Sequence, residues 1–311
     1  MNLFTFTFGS ALLLYISFVK STNIVLTNDD GWAVAMIRAQ NSALLEAGYD
    51  VVLSAPAENE SGTGSSTATP TVLTEPCEFN TCPTGSPPEG FNASDPRLNY
   101  VNAFPVDSVR FGIQTLSPQF FGGSPDFVVS GPNVGMILPS TDNLGTATVG
   151  ISGTVGAACE AAKEGIPSTA FSAAGLSQVS FTDLNNNNAD TSAALVFSQL
   201  TVNFVNALLA DGPPFLPSGI SLNVNYPAST SSSCASPSDF SFILTRIAPN
   251  SSVTDVETCG TDHLPGESAV VATSGCFASV SVMNATNKAD VDASTQAFVL
   301  NRLDGFLSCL P

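Results

Sequence analysis

Residues 23–32 read NIVLTNDDGW, and the reading of this stretch decides the fold. Ile24-Val25-Leu26 is a short apolar run of the kind a fully buried strand requires. It ends in Asn28-Asp29-Asp30-Gly31, where two adjacent carboxylates repel each other and lose hydration if enclosed. A solvated turn or helix cap is one reason for such an ending, and a cation site is the other. Working outward, AVAMIRAQNSALLEAGYD (33–50) has amphipathic-helix spacing and breaks at Gly48, and DVVLSAPA (50–57) is a second apolar strand. Strand, helix and strand make a βαβ unit, hence parallel pairing with a right-handed crossover. SPDFVVSGPN (124–133) predicts another buried strand, and ISGTVGAACEAAKEGIPSTAFS (151–172) predicts loop, helix and strand.

The expected fold is therefore α/β: a three-layer, mostly parallel Rossmann-like sheet flanked by helices, with its core in residues 22–180. From Thr182 the texture changes. DLNNNNADTS (183–192) is a polar loop, AALVFSQLTVNFVNALLADG (193–212) a helix and GISLNVNYP (219–227) a strand. ASTSSSCASPSD (228–239) reads as a flexible insertion. FSFILTRI (240–247) and SAVVATSGCFASVSV (268–282) predict antiparallel strands, and residues 292–310 a closing helix. Residues 181–311 thus form a C-terminal antiparallel-strand and helix extension of one domain spanning 22–311.

The first 21 residues, MNLFTFTFGSALLLYISFVKS, are apolar and end in small residues, with Val19 and Ser21 at the −3 and −1 positions of a cleavage site. A signal peptide over 1–21 predicts a secreted protein, and no later segment reads as long and apolar enough to cross a membrane. Four sequons, at Asn59, Asn92, Asn250 and Asn284, agree with export. So do seven cysteines, which pair in an oxidising compartment. Cys159 falls in a buried helix and is expected to be the odd one. Cys77 and Cys82 are close enough to close a small loop, which leaves Cys234, Cys259, Cys276 and Cys309 to pair in an order the sequence does not give. A formal charge of −18 with 8 Lys plus Arg argues against a nucleic-acid polymer or an anionic membrane as partner. An anionic substrate then calls for a cation between it and the protein.

Ligands of open parallel sheets gather at the carboxyl ends of strands. TNDDG, AENESGTGSS (57–66) and SGPNVG (130–135) fall there, and SGTVGAA (152–158) opens a helix whose free N–H groups favour an anion. Asp29 and Asp30, a hydroxyl such as Ser61 and an amide oxygen such as Asn133 make an all-oxygen set. That chemistry suits Mg²⁺ or Mn²⁺ better than zinc.

The blocks NIVLTNDDG, AGYDVVLSAPAENESG, AFPVDSVRFGIQTL, DFVVSGPNVG, SGTVGAACEAAKEGIP and SLNVNYP, in this order from Asn23 to Pro227, resemble the SurE (survival protein E) family. That family comprises metal-dependent 5′/3′-nucleotidases and acid phosphatases, and the signal peptide, sequons and cysteines resemble its secreted fungal members. The resemblance implies that Asp29, Asp30, Ser61 and Asn133 hold a divalent ion and that Asn28 lines the site. It implies a phosphate cradle at Ser152, Gly153 and Thr154. The implied reaction is hydrolysis of a phosphate monoester such as a nucleoside monophosphate by metal-held water, with one of the two Asp orienting the water or taking its proton. A homodimer is also implied. Three departures stand out: Ile137 where the family has a second Asn, WAVAMIRA (32–39) after NDDG, and PSTDNLGTATVGI (139–151) before the Ser-Gly-Thr turn. The alternative is a secreted binding protein of this fold that has lost catalysis. His263, the single histidine, lies outside every block and reads as a surface residue, and no Gly-x-Ser-x-Gly elbow supports a serine hydrolase. A glycan on Asn59 would crowd Ser61, so that sequon is expected to be unoccupied.

Overall fold

A computed structural model describes residues 21–134, 143–186 and 188–311. The predicted signal peptide (apart from Ser21), Ile137 and the first part of the altered loop lie outside them. The strands are β1 (Asn23–Thr27), β2 (Asp50–Pro56), β3 (Glu89–Asn92), β4 (Asp95–Val101), β5 (Phe127–Val134), β6 (Ser168–Ala173), β7 (Ile220–Tyr226), β8 (Ser241–Thr245) and β9 (Phe277–Asn284). The α-helices are α1 (Ala35–Glu46), α2 (Pro105–Phe111), α3 (Ser117–Phe121), α4 (Gly145–Ile151), α5 (Gly153–Lys163), α6 (Ala189–Leu209), α7 (Glu267–Ala272) and α8 (Ala293–Arg302).

One nine-stranded sheet runs β3-β4-β2-β1-β5-β6-β7-β9-β8. The stretch from β4 to β7 is wholly parallel, and β3 at one edge and the β9-β8 pair at the other run against it. Adjacent residues of β1 point to opposite faces, which sorts its apolar run into two cores. Ile24 and Leu26 join Met36 and Leu44 of α1 and Phe197 and Phe204 of α6, whereas Val25 joins Val109 of α2 and Ala157 and Ala161 of α5. This two-sided burial is the expected three-layer α/β arrangement.

Four readings change. The parallel pairing continues past residue 180 into β7, so the sheet crosses the expected boundary without a break. β9 is antiparallel to β7 as expected, but β8 runs parallel to β9 because a connection containing α7 separates them. Residues 89–101 add two strands that the sequence reading left out. Finally, α6 is a 21-residue helix of hydropathy 1.4, long and apolar enough to span a membrane. Much of its apolar surface is instead buried against the rest of the fold: Phe197 stacks on Tyr226 at 5.5 Å, and Phe204 meets Phe171 edge-on at 5.7 Å.

The cysteines pair as Cys77–Cys82, Cys234–Cys276 and Cys259–Cys309, and Cys159 is free and buried in α5. The small loop and the odd cysteine follow the sequence reading, and the order of the other four comes from the fold.

Candidate metal centre

The carboxyl end of β1 turns sharply at Gly31, whose φ of +113° is a conformation that L side chains rarely adopt. Asn28 braces this turn with both ends of its amide: Nδ2 donates to the Gly31 carbonyl (3.0 Å), and Oδ1 accepts from the Gly31 N–H (3.3 Å). Its side chain therefore shapes the turn. The two carboxylates leave the turn in different directions, as strand-breaking geometry allows.

Asp29 points at the N-terminus of α5. Its Oδ1 accepts from the Thr154 hydroxyl at 2.5 Å and its Oδ2 from the Thr154 N–H at 3.1 Å. Gly153 permits this approach, since a Cβ there would lie 2.9 Å from the Cβ of Asp29. Ser152 caps the same helix by accepting from the Val155 N–H (3.0 Å). The Ser-Gly-Thr turn expected to cradle a phosphate thus directs Thr154 and the helix N-terminus onto the protein's own carboxylate. Asp30 points toward the end of β5, where its Oδ2 accepts from the Val134 N–H (3.0 Å), and its Oδ1 accepts from Gln178 Nε2 at 2.5 Å.

Asn133 is 7% exposed and sits beside Val134, in register with Ser172 of β6. It belongs to the extended end of β5 and not to a loop after it. Ser61 lies on the exposed segment after β2. Its neighbour Glu60 ties that segment to the turn by donating its N–H to the Asp29 carbonyl at 2.7 Å. The four candidate ligands therefore come from three adjacent strand ends, β1, β2 and β5.

Asp29 is 1% and Asp30 0% exposed. Burial pushes both carboxyls up, and Asp30 goes well above the usual carboxylate range because the Asp29 charge adds to its burial. Glu78, in the loop closed by Cys77–Cys82, packs on Gly31 and is lifted to about 8 by burial and then by Glu58. Among the described residues no Lys, Arg or His forms an ion pair with any of these four acids. Two enclosed like charges with only neutral donors around them fit a hard divalent cation. Among the described residues no cluster of three His, Cys, Asp or Glu offers a competing metal cage.

His263 is a surface residue, bonded to Asp262 and to the Ser251 carbonyl at 2.7 and 3.1 Å. It lines a cavity of about 430 Å³ with Leu264, Leu303 and Leu307, and a second cavity of about 620 Å³ is lined by Pro125, Ile166 and Phe215. Neither cavity includes a candidate site residue. The sequence reading missed Gln178 as a partner of Asp30. It read Asn59 only as a sequon, whereas its Nδ2 donates to Gln178 Oε1 at 2.8 Å.

The family model of Survival protein SurE matches residues 24–252, a span that holds Asp29, Asp30, Ser61, Asn133, Thr154 and Gln178 but not His263. The chain belongs to the SurE family. It is 32% identical to an acid phosphatase of Yarrowia lipolytica, over 91% of this chain and 85% of that protein. It is also 36% identical to the 5′-nucleotidase SurE of Methanococcoides burtonii, over 49% of each chain, so the matched part spans about half of that relative. The crystal structure of the SurE protein from Aquifex aeolicus superposes with a TM-score of 0.56 at 24% identity, covering 85% of this chain and 93% of that one. That likeness carries the fold alone.

Proposed function

We propose that this chain is a secreted, divalent-cation-dependent phosphomonoesterase acting on small phosphate esters such as nucleoside monophosphates. The observation that carries the reading is the pair of enclosed carboxylates, Asp29 and Asp30, with no cationic side chain paired to either among the described residues. The names of two relatives, an acid phosphatase and a 5′-nucleotidase, support phosphate-ester hydrolysis as the activity. Asp29, Asp30, Asn133 and Ser61 would hold Mg²⁺ or Mn²⁺. Such an ion supplies a Lewis acid for a phosphoryl oxygen and lowers the pKa of a water molecule.

The protein's own contribution is positional. Thr154 fixes the plane of Asp29 through two bonds, and the α5 N-terminus favours negative charge beside it. Val134 and Gln178 hold Asp30, each taking one oxygen and leaving lone pairs on both. Asn28 keeps the turn closed so that the two carboxylates stay where their neighbours place them. The strongly acidic chain repels polyanions, which favours a small ester over a nucleic acid.

Phosphate release from a nucleoside 5′-monophosphate tests the reading. Activity should vanish with EDTA and return with Mn²⁺ or Mg²⁺. Absence of turnover across several esters and pH values, with metal present, would favour a binding protein. N-terminal sequencing of exported material tests cleavage after Ser21.

A further inference from the structure

Three amides join the segment after β2 to Asp30. The Ser61 N–H donates to Asn59 Oδ1 (2.9 Å), Asn59 Nδ2 donates to Gln178 Oε1 (2.8 Å), and Gln178 Nε2 donates to Asp30 Oδ1 (2.5 Å). A side-chain amide can flip, but this chain of bonds has one direction. A backbone N–H can only donate, so Asn59 must turn its oxygen to Ser61 and its nitrogen to Gln178. Gln178 must then accept with its oxygen and present its nitrogen to Asp30. The hydrogen that reaches Asp30 is therefore set two residues away, on the segment that carries Ser61.

We infer that Gln178 is a positioning residue for Asp30 and that Asn59 sets its polarity, coupling the Ser61 segment to the carboxylate. The inference rests on the reading of Asp30 as a cation ligand. Partners one step removed from a ligand orient it and tune its basicity. Gln178 does this without charge, so it holds Asp30 at any pH without competing with the cation. Asn59 also carries the atom to which an N-linked glycan would attach, so the relay gives that sequon a structural use.

The test is Mn²⁺ affinity of the substrate-free protein, measured by calorimetry or by the loss of the free-ion EPR signal, with melting temperature recorded alongside. Gln178→Met keeps the side-chain length and removes the donor, and affinity should fall about tenfold. Asn59→Asp is the sharper variant. One carboxylate oxygen still accepts from Ser61, but the other now attracts the Gln178 nitrogen, flips that amide and turns its oxygen against Asp30. Its affinity should fall as far as that of Gln178→Met. Asn59→Ala leaves Gln178 free to keep donating to Asp30, and should stay nearer wild type. In the Gln178→Met background, Asn59→Asp should add little.

A purely structural role would lower the melting temperature of all three variants without separating Asn59→Asp from Asn59→Ala. Equal Mn²⁺ affinity in Gln178→Met and wild type, or in the two Asn59 variants, would overturn the inference. If Gln178→Met does not fold, the two Asn59 variants decide it alone. A wild type that binds no Mn²⁺ would overturn the cation reading itself, an outcome distinct from wild type and variants binding equally.

Discussion

The molecule encloses two pairs of carboxylates and treats them oppositely. Near the C-terminal edge, Asp255 and Asp290 have side chains 1% and 6% exposed, and both meet the guanidinium of Arg246. Asp255 also accepts from Gln296 (2.7 Å) and from the Leu264 N–H (2.9 Å), and Asp290 takes the N–H groups of Ile247 and Ala248 at 2.8 and 2.9 Å. That pair shares one guanidinium between its two carboxylates. Asp29 and Asp30 are held by as many neutral hydrogen-bond donors but, among the described residues, by no cationic side chain. Hydrogen bonds fix direction in both places, and of the two only the second lacks any cationic side chain among the described residues. Under the proposed function, the contrast separates acids that hold the fold together from acids arranged for a ligand.

The largest expected effect breaks the contrast at the site. Asp30→Asn should lower phosphate release by about 10³-fold, or ~4 kcal/mol, since the site loses one of its two charged donors. The same change removes a buried acid whose charging opposes folding, so the fall in melting temperature of the metal-free protein between pH 5 and 8 should be shallower than in wild type. An unchanged slope would undo the argument from repulsion.

Arg246→Met makes the complementary break. It strands Asp255 and Asp290 without their cation and should cost about 3–5 kcal/mol in denaturant unfolding. The folded fraction should keep its turnover per molecule. Loss of specific activity in that fraction would mean that the two regions are coupled.

pH sharpens the comparison. Glu267 is enclosed by Gly145, Asn223 and Ser281, and burial lifts it from the ordinary 4.5 to about 7. The folded state therefore holds a proton between those values that the unfolded state has released. Its contribution is complete below about 4.5 and is lost as pH rises through about 7, on the order of 3 kcal/mol. Asp29, Asp30 and Glu78 are raised as well, so they push in the same direction. Melting of the metal-free protein should fall between pH 5 and 8, and Glu267→Gln should flatten part of that slope. A melting temperature that climbs over the range would contradict the sign. The smallest expected signal is at Asn59, where glycopeptide mapping of active secreted protein should find no glycan.

Much of the parallel core was legible because a strand buried on both faces leaves a continuous apolar run, as at Ile24-Val25-Leu26 and Phe127-Val128-Val129. The turn at Asp29-Asp30-Gly31 was legible because adjacent acids after such a run need a reason. Strands β3 and β4 were not, since EGFN and DPRLNYV are polar, carry Pro96 and lie at the sheet edge, where apolar patterning relaxes. Membership of Asn133 in β5 was hidden by Gly131-Pro132, which reads as a strand end but here sits at a register shift. The parallel sense of β8 depended on the long connection after it. Gln178 and Asn59 lie 148 and 119 residues from their partners Asp30 and Gln178, and pairing at that range leaves no local spacing to read. The role of Thr154 was half visible: the helix start marked a place for an anion, but the bonds from Thr154 to Asp29 span 125 residues and leave no local spacing to read.

The most direct test is anomalous diffraction from crystals equilibrated with Mn²⁺. A peak within coordination distance of both Asp29 and Asp30 is the predicted result. Metal density absent from that turn at saturating Mn²⁺, or found only at Asp255 and Asp290, would contradict the account.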